Sequence, residues 1–238
     1  MTEIPIAVRG DIEQRAIDQL RRCAEAGDAL AGVICADGHV GYSQPIGGAV
    51  AYPDHISPSG VGYDVACGNK AARTDLRIDD VHGDLPRIMD AIFERVSFGI
   101  GRNNAEPVDH PVLDEIRHAE FRPQRQLVQM ASNQLGTVGA GNHYVDLFAG
   151  DDGFVWIGVH FGSRGLGHKS ATKYLKAAGG RDGMDVPPAV VEDDSELGTR
   201  YLAAMHLAGR YAYAGREWVV ETIRRMLAAK VTDRVHNH

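Results

Sequence analysis

The sequence predicts an α+β fold from three patterns. Apolar residues recur at helical spacing in three segments, residues 11–26, 85–96 and 195–229. Short apolar runs with the length of strands occupy residues 29–35 and 45–52, and residues 70–76 are expected to form a further strand. Asp151-Asp152-Gly153 stands between two further runs, residues 142–148 and 154–160, and predicts an antiparallel hairpin. Helices and strands are therefore mixed along the whole chain.

The helical segments have recognisable ends and interruptions. Asp11 is a suitable capping residue for the first helix, and Gly27 follows its last apolar position. Residues 111–132 also have helical character, with a break near Pro123. The long segment 195–229 contains three glycines, Gly198, Gly209 and Gly215. Because glycine weakens a helix, this segment predicts either one long helix or two shorter ones.

Length and composition limit the class of protein. The chain has 238 residues, which suits one large domain or two small ones, and its 44% hydrophobic and 24% charged residues are typical of a globular protein. The formal net charge of -7 argues against unselective coating of nucleic acid. The three cysteines fit no disulfide framework, and neither a signal sequence nor a membrane span is apparent. We therefore expect reduced thiols and a cytoplasmic chain without membrane association.

Residues 134–167 carry the strongest chemical signal. His143 and His160 each stand beside a glycine-rich turn, and the predicted hairpin brings both to its open end. A neutral imidazole nitrogen is a good metal ligand. Three further side chains in this segment suit phosphate oxygens, namely Asn142, Ser163 and Arg164. The pattern predicts a site for a metal and a phosphate.

Asp64 and Cys67 supply an acid and a thiol close together. A buried cysteine is more often a small core residue than a ligand, and the spacing alone is a weak motif. Asp64 weakens that interpretation, because a buried carboxylate has to be paired or bind a cation. A thiolate with imidazoles and a carboxylate favours a borderline metal such as manganese or zinc. Residues alone thus indicate metal-assisted phosphoryl chemistry.

Asp37 and His39 follow the apolar run 29–35 directly. Polar ionisable residues at the end of a buried strand are typical of a functional site. A local turn in which Asp37 bonds the backbone explains the same residues equally well. Both interpretations stay open at this point.

The same stretches together resemble one protein family. Asp37-Gly38-His39-Val40-Gly41 is followed by Pro45-Ile46-Gly47, and three further blocks read GVGYDVACG, QLGTVGAGNHYVD and VHFGSRGLGH. These blocks, and the pair His236-Asn237, resemble signature segments of the RtcB-type RNA-splicing ligases. The resemblance covers nearly the whole chain and implies one α+β domain, residues 1–238, with central, largely antiparallel sheets and flanking helices. It also implies an enzyme that joins an RNA 3′-phosphate or 2′,3′-cyclic phosphate to a 5′-hydroxyl, using GTP and Mn²⁺.

The resemblance also assigns roles to individual residues. Two manganese ions would share Cys67, with His160 and His236 completing one and Asp64 and His143 the other. Asn142 would contact the nucleotide phosphate, and Asp146 would stand where the family commonly has a glutamate that reaches guanine. The path of the RNA phosphate would be lined by Asp37 and His39, as catalytic residues, and by Ser163 and Arg164. Phe161 and Gly215 depart from the family's usual serine and asparagine.

Family members continue well beyond the His-Asn pair, and the resemblance places the guanylylated histidine in that further part. We therefore expect a shortened homologue, a fragment, or one part of a split protein that works with a separate C-terminal part or an oligomeric partner. We also expect a frayed terminal segment and a weak metal at His236. Two other functions stay open, a non-catalytic module that binds metal and RNA ends, and a metal-dependent phosphoesterase.

Overall fold

The computed structural model describes residues 4–181 and 183–237, and it confirms the predicted α+β class. The helices are α1 Gln14–Glu25, α2 Pro58–Val61, α3 Ile78–His82, α4 Leu85–Arg95, α5 Val112–Arg117, α6 Arg122–Arg125, α7 Val128–Gln134, α8 Arg164–Ala177 and α9 Glu196–Met226. The strands are β1 Ile6–Val8, β2 Ala31–His39, β3 Ile46–Ala51, β4 His55–Ile56, β5 Gly68–Arg77, β6 Tyr144–Ala149, β7 Phe154–Phe161, β8 Val191–Glu192 and β9 Val231–Asn237. In the described residues, no helix is both long enough and apolar enough to pass through a bilayer.

The chain forms two compact units. Unit 1 contains the described residues up to Tyr63 together with Lys169–Met205, and unit 2 contains Asp64–His168 and the residues from His206 onward. The single domain expected for residues 1–238 stays a prediction.

Unit 1 is built on the sheet β1-β2-β3. The first pair of strands is parallel and the second is antiparallel, with an irregular register between Ile34 and His39. The helix α1 covers this sheet because Ala16 and Leu20, four residues apart on one helical face, pack against Ile34. A smaller antiparallel pair, β4 with β8, belongs to the same unit.

Unit 2 is built on a four-stranded antiparallel sheet in the order β6-β7-β5-β9. The strand β7 has the sequence FVWIGVHF, and such a continuous apolar run suits a strand with neighbours on both sides. Ile157 and Val159 of this strand pack with Val219 and Ile223 of α9 and with Ile92 of α4. A second apolar cluster joins α5, α7 and α9.

Several local predictions are confirmed. Residues 144–149 and 154–161 form the predicted hairpin, with Tyr144 opposite His160 at its open end. The helical stretch that contains Pro123 is broken into α5, α6 and α7. The alternative of one long helix holds for α9, which runs through all three of its glycines. A Cβ on Gly215 would approach Phe161 Cε2 to 3.1 Å, so this glycine permits close packing of α9 against the strand β7.

The expectation of a frayed terminal segment is wrong for the described residues. The strand β9 pairs antiparallel with β5, with Lys70 opposite His236 and Ala72 opposite Arg234. A local pattern could not reveal this pairing, because the partner strand lies far away in the sequence. His238 lies outside the described residues.

Candidate metal centre

Three strand ends of unit 2 carry the candidate ligands. Cys67 stands directly before β5, after a turn in which its N–H donates to the Asp64 carbonyl at 2.9 Å. His143 directly precedes β6, and His160 is the last residue but one of β7. The sheet register places Asn69 opposite His160 and His160 opposite Tyr144, so the three ends meet at one edge.

The thiol and the two imidazoles converge closely. Cys67 Sγ lies 3.5 Å from Nε2 of His143 and 3.5 Å from Nε2 of His160. In the part of the chain that the structure describes, these residues form a group whose ligand atoms all lie within 4.8 Å of one another. Bonds of about 2.3 Å to sulfur and about 2.0–2.1 Å to nitrogen place tetrahedral ligand atoms roughly 3.5 Å apart. The Sγ–Nε2 separations therefore fit one transition-metal ion.

Asp64 joins this group through His143. Its Oδ2 lies 2.9 Å from His143 Nε2, and since a carboxylate only accepts, that nitrogen carries the proton in this arrangement. A cation can replace this proton between the same three atoms, the nitrogen, the carboxylate oxygen and the sulfur. On the opposite side of the ring, His143 Nδ1 is buried and has no hydrogen-bond partner among the described residues.

Burial and charge set the protonation of the site. Burial raises the pKa of the Cys67 thiol to about 12, and the negative charge of Asp64 adds to this effect. Burial also acts to raise the pKa of Asp64, but hydrogen bonds from His143 and Cys67 outweigh it and hold the pKa below its usual value. Burial, followed by the charge of His143, lowers the pKa of His160. The site thus presents an ionised carboxylate, neutral His160 and a protonated thiol, which a metal ion would have to deprotonate.

Two glycines let the backbone approach these side chains. A Cβ on Gly139 would lie 2.2 Å from His143 Nδ1 and 2.6 Å from an Arg164 nitrogen. A Cβ on Gly162 would lie 2.5 Å from the Asp64 carboxylate. Any larger residue would displace a candidate ligand. Crowding at the site therefore explains why glycine occupies these two positions of the glycine-rich blocks.

The comparison with protein families matches residues 19–238 to the family described as tRNA-splicing ligase RtcB. The chain belongs to the RtcB family. It is 28% identical to the tRNA-splicing ligase RtcB of Archaeoglobus fulgidus, over 93% of this chain and 58% of that protein. It is 30% identical to the protein of the same name from Thermococcus kodakarensis, over 84% of this chain and 53% of that one. The RNA-splicing ligase RtcB of Mycobacterium bovis is also 30% identical, over 81% of this chain and 57% of its own.

The chain spans about half the length of the curated RtcB relatives that it matches. The family membership agrees with the resemblance of the signature blocks.

His236 lies outside the group of three ligand atoms. Its Nε2 accepts a hydrogen bond from Arg216 Nε at 3.1 Å, and its ring contacts the Tyr213 ring edge-on at 4.3 Å between centroids. Burial, followed by the positive charges of Arg216 and Lys70, lowers the pKa of His236 to about 4. The ring is therefore neutral at neutral pH. Its role as a ligand stays a prediction.

The other predicted residues of unit 2 differ in how close they lie to the cluster. Asn142 Nδ2 lies 3.2 Å from His160 Nε2, so the amide borders the candidate ligands directly. Arg164 has φ +51° and donates from Nε to Thr137 Oγ1 at 3.3 Å. Ser163 is fully buried, and its hydroxyl has no hydrogen-bond partner within the described part of the chain. Asp146, opposite Gly158 in the sheet, is exposed.

Asp37 and His39 belong to unit 1. Both are exposed on β2, and His39 Nδ1 lies 2.7 Å from the Asp37 carbonyl oxygen. Their predicted part in the RNA path stays a prediction.

Sequence reasoning missed Arg216 and Tyr144. The Tyr144 ring stacks on His160 with centroids 5.6 Å apart, and Arg216 is fully buried beside the cluster. A signal for Arg216 does exist. It stands four residues after Ala212 and three before Val219, so it falls on the apolar face of α9 where a charged residue needs a reason.

Proposed function

We propose that this chain provides the metal-binding and RNA-end-binding part of a GTP- and Mn²⁺-dependent RNA ligase. The reaction joins an RNA 3′-phosphate or 2′,3′-cyclic phosphate to a 5′-hydroxyl. The convergence of Cys67, His143 and His160 in a member of the RtcB family carries this proposal. The names of its relatives, tRNA-splicing ligase and RNA-splicing ligase, support the class of reaction.

In this proposal the chain's own residues hold the metal ions. Cys67, His143 and His160 are the first ligands, and Asp64 is added through the contact with His143. His236 would help to hold a second Mn²⁺ if its Nε2 were released from Arg216 Nε. When bound, the metal supplies positive charge that stabilises phosphoryl oxygens.

Polar side chains around the cluster bind and orient the phosphate. The Asn142 amide borders His160 and can donate to a phosphate oxygen. The Arg164 guanidinium, which is half-buried beside the cluster, contributes charge-assisted hydrogen bonds. Ser163 adds a hydroxyl, and Asp146 contacts guanine. In unit 1, Asp37 and His39 are assigned to the RNA path by the family resemblance.

GMP transfer requires a nucleophilic histidine. In these 238 residues, the predicted ligands and the RNA-path residue already account for His39, His143, His160 and His236, and the one further histidine of the signature blocks, His168, stands at the edge of its block. None of the others matches the family's guanylylation motif by resemblance. We therefore propose that these residues alone bind metal and RNA ends without accepting GMP.

One set of assays tests the proposal. The purified chain is titrated with Mn²⁺ by calorimetry and then incubated with labelled GTP and with 3′-phosphorylated RNA. We expect Mn²⁺ binding that is lost in Cys67→Ser and kept in Cys23→Ser, which alters a buried thiol in unit 1. We also expect RNA-end binding without a covalently labelled band.

Other outcomes lead to other functions. A labelled band together with joined RNA would show a complete ligase in these residues. Release of phosphate from the RNA would favour a metal-dependent phosphoesterase. Equal Mn²⁺ affinity in Cys67→Ser and the unmodified chain would contradict the metal centre.

A further inference from the structure

Arg216 is a fully buried cation in the middle of α9. Its hydrogen bonds among the described residues go to two main-chain carbonyls and one imidazole rather than to a carboxylate. A buried charge costs free energy unless hydrogen bonds and nearby opposite charge compensate it. The position therefore needs a reason beyond packing.

One nitrogen of Arg216 joins the two segments that carry Cys67 and His160. Nη1 donates to the Ala66 carbonyl at 2.8 Å and to the Phe161 carbonyl at 2.5 Å. Ala66 directly precedes Cys67, and Phe161 directly follows His160. The β5–β7 register ends at Gly68 opposite Phe161, so Cys67 lies one residue beyond the last pair. Arg216 thus links the two segments where the strand pairing stops.

The same contact supports a strained turn. Ala66 has φ +54°, a left-handed conformation that costs free energy for a residue with a side chain. This conformation turns the chain between Asp64 and Cys67. Without Arg216, the turn would also lose the donor to its partly buried carbonyl.

The third bond of Arg216 reaches the remaining predicted ligand. Its Nε donates to His236 Nε2, which must accept, because arginine has no acceptor. The Tyr213 ring lies beside both the Arg216 side chain and the His236 ring. Arg216 Cζ is 5.1 Å from the centroid of the Tyr213 ring. One side chain therefore contacts the segments of three predicted ligands.

We propose that Arg216 is a positioning residue of the metal centre. Its fork of donors fixes the Cys67 turn against the end of β7, which sets the separation between Sγ and the His160 ring. Its Nε holds the His236 ring in a defined place until a metal ion competes for the same nitrogen. Lysine cannot replace this arrangement, because it has one nitrogen and no planar fork. This inference rests on the metal centre of the proposed function.

The test measures Co²⁺ binding to the full chain, since cobalt reports thiolate ligation by a charge-transfer absorption band. The variants are Arg216→Lys, which keeps the charge, and Arg216→Met, which removes it at similar volume. The control is Tyr211→Phe, because Tyr211 is equally buried on α9 and its hydroxyl donates to the Ala131 carbonyl, at 2.8 Å, rather than to a segment that carries a predicted ligand. Thermal unfolding verifies that each variant is folded.

We expect both Arg216 variants to bind Co²⁺ roughly 10–100-fold more weakly and with a smaller thiolate band per bound ion. Tyr211→Phe should lose stability but keep the affinity and the band of the unmodified chain. Unchanged affinity and band in either folded Arg216 variant would overturn the inference. Failure of both to fold, with Tyr211→Phe folded, would overturn it too, since Arg216 would then serve the whole fold. A missing band in the unmodified chain would instead refute the metal centre of the proposed function.

Discussion

Gly139→Ala moves a candidate ligand without removing it. The new Cβ would lie 2.2 Å from His143 Nδ1, whereas ordinary contacts begin near 3.4 Å, so the ring has to shift by about 1.2 Å. Metal–ligand distances tolerate only about 0.2 Å. We therefore expect Mn²⁺ affinity to fall at least tenfold, with a loss of about 1–3 kcal/mol in unfolding free energy from overpacking. Calorimetric titration and urea unfolding measure the two effects.

Substitutions of two other glycines serve as controls for the collision at Gly139. Gly141→Ala lies in the same loop with φ +76° and no atom within 4 Å of the new Cβ, so it adds backbone strain without a collision. Gly83 follows the last residue of α3 and has φ −68°. The new Cβ of Gly83→Ala also has no atom within 4 Å. Neither should change Mn²⁺ affinity. If Gly139→Ala binds Mn²⁺ as tightly as both controls, His143 is not a ligand and the argument from close approach fails.

Three further predictions concern the thiol, pH and stability. Cys67→Ser should lower Mn²⁺ affinity at least tenfold in calorimetry, while Cys23→Ser leaves it unchanged; equal affinities would make Cys67 a core residue. Because burial raises the pKa of the Cys67 thiol to about 12, binding should release a proton and weaken about tenfold per pH unit lowered, a slope that titrations between pH 6.5 and 8.5 would reveal or refute. The Arg224 hydrogen bond lowers the pKa of Glu221 to about 2, so its stabilisation is complete above about pH 4.5 and disappears as pH falls towards 2. Glu221→Gln should therefore cost about 1 kcal/mol at pH 7 in urea unfolding, and a cost that persists at pH 2 would contradict the ion pair as its source.

Local chemistry explains which parts of the fold were predictable. The hairpin follows from Asp151-Asp152-Gly153 between two apolar runs, and this turn fixes the register that brings His143 towards His160. The break falls just before Pro123, which lies in the first turn of α6, where proline is tolerated, but which could not continue a helix from α5. Such signals act within a few residues, so one sequence is enough to detect them.

The missed features depend on contacts between distant residues. The β5–β9 pairing joins Lys70 to His236, and no turn connects these strands. The packing of α9 at Gly215 against Phe161 joins two distant segments, so the helix sequence alone left one long helix and two shorter ones open. The position of Cys67 near His160 also requires a long-range pairing, that of β5 with β7, but it was predicted, from the metal-binding chemistry of these residues and from the family resemblance.

The connectivity of the four-stranded sheet has a consequence for folding. Tyr144 and His160 are paired across a short hairpin, whereas Asn69 reaches His160 across more than a third of the chain, and Lys70 reaches His236 across more than two thirds of it. Loop-closure entropy and contact order favour the hairpin as the early element and the long-range pairings as later, slower steps. The two histidines of the hairpin would thus meet first, the thiol would join next, and β9 would close the sheet last. During synthesis, Cys67 and β5 emerge before the hairpin and β9 follows it, so a ribosome-bound chain would hold the thiol and two histidines before it held His236.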